Sequence, residues 1–241
     1  MGITRHLPNF LTSLNLLCGT LATYSAINGQ LELAVWLIFI GALFDFSDGF
    51  VARALKAYSP MGKELDSLAD LISFGMAPAA ILSTILKYLI TKSYDSLFFE
   101  LSTIEQAWIL SPFLLTVFAG LRLAKFNVDT RQTENFLGLT TTATGIFTAS
   151  FAYAFANYTD AFGWLKPYMV LVTVLIFCSL LVSEVPMFSL KFKSIKWKEN
   201  QHRFMLLLLA IVLIFWLGIG GVAVVIFYYI VISVGQWFFI R

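Results

Sequence analysis

Charge is what this chain has least of. Only 12% of its 241 residues are Asp, Glu, Lys or Arg, against roughly 25% in soluble domains. That scarcity excludes an ordinary soluble domain. Cysteine is nearly absent as well. Cys18 and Cys178 are the only two, and both lie inside apolar runs. They provide neither a disulfide framework nor metal-ligand spacing, and read as small packing residues. Low-complexity tracts and internal repeats are missing too.

Apolar residues fill the space, at 59% of the chain, with 24 Phe. A bilayer-spanning helix needs roughly 20 consecutive apolar residues. Eight apolar segments stand out, with soft ends: 10–27, 31–54, 64–90, 105–125, 139–158, 164–184, 203–218 and 221–239. The last two would make one helix of about 55 Å, far beyond the ~30 Å hydrocarbon core. The "GIGG" at 218–221 offers a turn between them. Arg5 and His6 before the first run resemble the start of a signal peptide. The run leads into further spans and is interrupted early by Pro8-Asn9, so it reads as the first span. The expectation is an all-α, polytopic membrane helix bundle of about eight transmembrane helices, forming a single domain over residues 1–241.

The positive-inside rule orients it. With the N-terminus in the cytoplasm, only Lys87, Lys92 and Lys166 of the 16 basic residues fall outside. Both termini are then cytoplasmic. The loop 189–203, "SLKFKSIKWKENQHR", is the most basic piece and reads as a topology anchor at the inner surface. No nucleic-acid partner is expected.

Against this background, "DFSDGFVAR" at 45–53 and "LDSLAD" at 65–70 place acids beside lipid. Asp45 and Asp48 are three apart on one helix and share a face. Asp66 and Asp70 are four apart at the start of the next and also share a face. The joining turn is cytoplasmic on the charge count, so the two pairs lie near the same surface. At 1.5 Å per residue, Asp45 is about 12 Å deeper than Arg53. An Asp at mid-bilayer costs about 2.5–3.5 kcal/mol, and less near the interface. Four clustered acids also repel. Salt bridges to Arg53, Lys56, Lys63 or Arg122 are a structural alternative, but few bases serve many acids. Divalent metal is the stronger remedy, because carboxylate oxygens suit Mg²⁺, Mn²⁺ or Ca²⁺. Four carboxylates balance two such ions, the arrangement used for in-line phosphoryl displacement. Gly49 and the small residues after it keep one helix face low. Gly62 lies where a helix start offers free N–H groups to phosphate, and Arg53 is a fork-shaped phosphate donor.

Together these residues spell D45-xx-DG-xx-AR-x8-G62-xxx-D66-xxx-D70, which resembles the signature of the CDP-alcohol phosphotransferases, filled at every position. "LPNFLTSLNLLCG" at 7–19, "LDSLADLISFGMAPA" at 65–79 and "GLRLAKFN" at 120–127 resemble the phosphatidylserine synthase branch. The likeness covers most of residues 7–140. One departure is Gly138-Leu139-Thr140, where the branch often has Gly-Leu-Pro; losing the Pro is expected to relax the following helix start.

The resemblance implies transfer of a phosphatidyl group from CDP-diacylglycerol to the hydroxyl of L-serine, releasing CMP, with two divalent cations, Mg²⁺ or Mn²⁺ and Ca²⁺ as an alternative occupant. It implies metal ligands at Asp45, Asp48, Asp66 and Asp70, with Asp70 also the general base. It implies a CDP-binding wall of Asn9, Thr12, Gly49, Ala52, Arg53 and Gly62. A homodimer in the cytoplasmic membrane is the family's habit. Serine needs a cation for its carboxylate. Arg122 and Lys125, at i,i+3 after the fourth span, are the candidates, with Asn127 behind them. Glycerol 3-phosphate or inositol phosphate remain alternative acceptors, although each would call for a larger basic pocket. A divalent-cation transporter would use similar acids, but nearer the bilayer midplane.

Overall fold

The computed structural model describes residues 6–129, 136–187 and 197–240. Most of the basic loop 189–203 lies outside the described residues. Among the described residues ten α-helices carry the architecture: α1 Leu7–Ile27, α2 Leu31–Ala54, α3 Pro60–Asp70, α4 Ala77–Thr91, α5 Thr103–Leu110, α6 Leu114–Val128, α7 Thr141–Asn157, α8 Pro167–Val182, α9 Trp197–Leu217 and α10 Gly221–Ile240. A two-residue antiparallel ladder, β1 Phe136–Leu137 with β2 Pro186–Met187, is the one departure from all-helical structure among the described residues.

Among the described residues, five stretches are long and apolar enough to cross a membrane: Leu7–Ile27, Leu31–Ala54, Pro60–Thr91, Thr103–Val128 and Arg203–Phe238. Pro167–Val182 is apolar but shorter. Large apolar side chains such as Leu43, Phe46, Val117, Leu121, Phe215 and Trp216 stand exposed, far beyond what a water-soluble surface tolerates in one patch. This is a polytopic membrane protein.

Helices occupy the eight expected segments, some with internal breaks, but α7 and α8 fall short of a full span and α9 and α10 lie within one candidate stretch, so five spans rather than eight meet the length and hydropathy of a crossing. The 105–125 run is two helices joined by a 3₁₀ turn over Ser111–Phe113, because Pro112 has no N–H to continue the α ladder. In the 203–239 run the chain turns at Gly218, whose φ is +57°, and α10 packs back against α9.

The third stretch holds the most consequential irregularity. Between α3 and α4, residues Leu71–Met76 form a π-helical turn. Pro78 lies two residues beyond it and explains it. Its ring would collide with the carbonyl of residue 74, and it has no N–H to offer there. The wider turn is buried at Ser73, Phe74 and Gly75. Three helices press against it through small residues. A Cβ on Gly19 of α1 would come within 2.6 Å of Ser73 Cα. One on Gly145 of α7 would meet Phe74 at 2.8 Å, and one on Gly75 itself would meet Ala119 of α6 at 2.9 Å.

Gly138 ties the α6–α7 connection to the end of α8. Its φ is +75°, its N–H donates to the Val185 carbonyl at 2.9 Å, and Leu139 N–H donates to the Leu180 carbonyl at 3.0 Å. Thr140, at the position where proline was expected, does not loosen the helix start. Its hydroxyl accepts from Ala143 N–H at 3.2 Å and caps α7.

Candidate active site

The four aspartates come from two adjoining elements. Asp45 and Asp48 project from the last three turns of α2, and Asp66 and Asp70 from α3. α1 packs along both helices. One carboxylate oxygen each from Asp45, Asp48 and Asp66 lie within 4.8 Å of one another. Asp48 is buried, and the other two are half-buried. Asp70 stands outside this trio at the head of the π turn. The charges acting on it are those of Asp45, Asp66 and Asp48 and, with opposite sign, Arg122.

Thr12 holds Asp48. Its hydroxyl lies 2.6 Å from Asp48 Oδ2 and 3.0 Å from the Pro8 carbonyl. A hydroxyl has one proton, and the shorter, charge-assisted contact takes it. Thr12 therefore supports a carboxylate directly, a role that the resemblance to a nucleotide-contacting residue did not anticipate.

Divalent metal is tested by what these acids lack. Among the described residues, no salt bridge reaches any of the four. Asp70 Oδ1 is buried without a hydrogen-bond partner. A buried acceptor in that state costs about 1–3 kcal/mol, and more when charged. Clustered hard oxygen donors that no salt bridge satisfies fit a divalent ion. Asp45, Asp48 and Asp66 form a group that could hold one.

Beside the trio, a cleft of about 230 Å³ opens between α1, the end of α2 and the start of α3. Every residue expected in the CDP wall lines it: Asn9, Thr12, Gly49, Ala52, Arg53 and Gly62, together with Asp48 and Asp66. Tyr58, Ser59 and Lys63 also line it and were not anticipated. The glycines act differently from expectation. A Cβ on Gly49 would meet the Arg53 guanidinium at 3.4 Å, so the arginine folds back over its own helix at the cleft. The Gly62 N–H is not free for phosphate, since it donates to Ser59 Oγ at 3.0 Å, the N-cap of α3. What Gly62 provides is room, because a Cβ there would lie 2.9 Å from Asn9 Oδ1.

Arg122, Lys125 and Asn127 separate. Arg122 is only 8% exposed, stacks over Phe126 at 5.6 Å and acts on Asp70. Lys125 instead pairs with Glu184 at 3.5 Å. Asn127 joins α6 to α3, donating from Nδ2 to Ser67 Oγ at 2.9 Å and accepting from Lys63 Nζ at its carbonyl at 3.2 Å. The structure thus brings one of the three to the acids.

Comparison with known proteins agrees with this geometry. The family model described as CDP-alcohol phosphatidyltransferase matches residues 5–237. A CDP-diacylglycerol–serine O-phosphatidyltransferase of Helicobacter pylori (strain ATCC 700392 / 26695) is 27% identical over 235 residues, 97% of this chain and 91% of that protein. One from Bacillus subtilis (strain 168) is 35% identical over 134 residues, 56% of this chain and 68% of its own length. An archaetidylserine synthase of Methanothermobacter thermautotrophicus is 33% identical over 147 residues, 60% of this chain and 57% of its own. With the match running through nearly the whole bundle and the aspartates and their cleft inside it, this chain belongs to the CDP-alcohol phosphatidyltransferase family.

Proposed function

We propose that this protein transfers the phosphatidyl group of CDP-diacylglycerol to the hydroxyl of L-serine, giving phosphatidylserine and CMP. One observation carries the reading. The carboxylate trio and the cleft lined by the signature residues share one wall, through Asp48 and Asp66, in a chain that aligns along 97% of its length with a CDP-diacylglycerol–serine O-phosphatidyltransferase.

Asp45, Asp48, Asp66 and Asp70 would hold two divalent ions. Bound there, the metal supplies positive charge to the diphosphate and to the departing CMP. Arg53 faces the cleft and offers parallel N–H donors to a phosphate. Asn9, with the space left by Gly49 and Gly62, shapes the wall for cytidine. Asp70 takes the proton of the serine hydroxyl. The serine oxygen forms its bond to the phosphorus on the lipid side, the bond to the CMP oxygen breaks, and the electron pair leaves with CMP. The acyl chains stay in the bilayer, while serine and the nucleotide exchange with water. A site just inside the interface serves both.

The charge distribution supports eight crossings, with both termini and the site on the cytoplasmic side of the cell membrane. The bundle is one domain over residues 1–241, assembled as a homodimer.

The test is CMP release from CDP-diacylglycerol by purified protein with Mn²⁺ or Mg²⁺ and a single acceptor at a time. Serine should support turnover, and glycerol 3-phosphate and inositol phosphate should not. Turnover with either phosphate and none with serine would refute the acceptor. No turnover at all, with vesicles accumulating divalent metal, would refute the enzyme.

A further inference from the structure

Among the buried polar atoms without hydrogen-bond partners in the described residues, Asp70 Oδ1, Arg122 Nε and Thr141 Oγ1 lie outside the nucleotide cleft, on three elements that each pack on the π turn. They come from α3, α6 and α7, and the contacts one turn deeper set their register. Gly75 meets Ala119, and Phe74 meets Gly145. One turn toward the cytoplasm from Ala119 is Arg122, one turn from Gly145 is Thr141, and one wide turn from Phe74 is Asp70. α6 and α7 both pack on the π turn and touch each other. Thr141 is 1% exposed and Arg122 8%. A threonine hydroxyl and a guanidinium N–H buried without partners are costly to keep. Their placement one turn from the π turn's contacts, at the level of the proposed base, gives that cost a purpose.

We infer that Thr141 and Arg122 form the acceptor subsite, and that it selects a small zwitterionic hydroxy amino acid; this rests on the serine-transfer reading. Arg122 receives the carboxylate. Thr141 Oγ1 accepts from the ammonium. Asp70 Oδ1 faces the hydroxyl that will attack. One cation, one carboxylate and one neutral hydroxyl match a zwitterion of no net charge. A phosphate-bearing acceptor would bring two further negative charges to a single arginine, because Lys125 is turned to Glu184. A site built from polar groups rejects molecules that leave them unpaired.

The test compares Thr141→Val, which keeps the shape and removes the hydroxyl, with Thr141→Ser, which restores it. Full-length protein is assayed for CMP release against serine and, separately, against CDP-diacylglycerol. Folding is read from thermal unfolding and CDP binding. Thr141→Val should raise the serine KM roughly ten- to a hundredfold, with the CDP-diacylglycerol KM within twofold of wild type, and Thr141→Ser should return the serine KM to near wild type. If the valine variant does not fold, Thr141→Ala against Thr141→Ser makes the same comparison. An unchanged serine KM, or equal shifts for both substrates, overturns the subsite while wild-type serine turnover stands. Wild-type turnover with glycerol 3-phosphate and none with serine overturns the serine reading and the zwitterion assignment together.

Discussion

Replacing Thr12 by Val separates a metal-supporting role from a nucleotide-binding one. Thr12 is 3% exposed and Asp48 6%, and their 2.6 Å contact is sheltered from water. Two effects of the loss oppose each other. Without the donor, Asp48 carries more unshared negative charge and attracts a cation more strongly. It also loses what fixes its rotation, so the oxygen presented to metal is no longer held in place. Magnitudes decide. A hydrogen bond to a charged group contributes about 1.5–3 kcal/mol, and outer partners of metal ligands change affinity about 10–100-fold when removed. At about 1.4 kcal/mol per factor of ten, the two figures coincide, and orientation wins. Metal half-saturation of CMP release should rise about 10–100-fold, and calorimetric Mn²⁺ binding without substrate should weaken in parallel. The KM for CDP-diacylglycerol at saturating metal should move less than threefold. Unchanged or tighter Mn²⁺ binding would refute the reasoning, and a large shift in nucleotide affinity alone would return Thr12 to the CDP wall.

Asp70→Asn should lower CMP release about 100–10,000-fold, the range of a lost general base, in protein that still unfolds in one cooperative thermal transition; near-normal turnover removes Asp70 as base. Lys125→Ala should leave serine KM and kcat within twofold and cost less than about 1 kcal/mol in unfolding, because its pair with Glu184 is exposed on both sides. A tenfold rise in serine KM would instead put Lys125 in the acceptor site. Gly138→Ala should destabilise the protein by about 1–3 kcal/mol from its positive φ alone, and by more once the new Cβ meets the Ser183, Leu180 and Leu181 carbonyls at 2.8–2.9 Å; a midpoint equal to wild type in detergent would contradict the geometry. Chelation by EDTA should abolish turnover, and excess Mn²⁺ should restore it; activity persisting in EDTA would dismiss the metal.

The helices were legible because lipid leaves few alternatives to apolar runs of spanning length. The acids were legible because helical spacing alone puts Asp45 with Asp48 and Asp66 with Asp70. What periodicity could not express was side-chain direction. Arg122 and Lys125 at i,i+3 looked like one basic face, yet a 60° difference around α6 sends one toward Asp70 and the other to Glu184. Nor could it tell an available N–H from a capped one. Ser59 two residues before Met61 was the signal for the cap on Gly62, and it went unread. Thr12 was assigned by likeness to the nucleotide, while its distance to Asp48 follows from how α1 lies against α2, which spacing within one helix does not contain.

The π turn was missed for the same reason, although Pro78 was in view. Its consequence reaches furthest. A regular helix from Pro60 to Thr91 would rotate Asp70 differently relative to the residues beyond Phe74, since an α turn takes 3.6 residues and a π turn closes its hydrogen bonds one residue later. The extra width also brings a thicker backbone into the bundle. Glycine at 19, 75 and 145 lets α1, α6 and α7 approach it within contacts that a methyl group would block. Asp70, at the head of this turn, has the other acids and Arg122 as charged neighbours, and α7 packs on the turn that it heads. A carboxylate that served metal alone would need only the first of these neighbours. The other two make sense if a second, separately recognised molecule must come to the same oxygen.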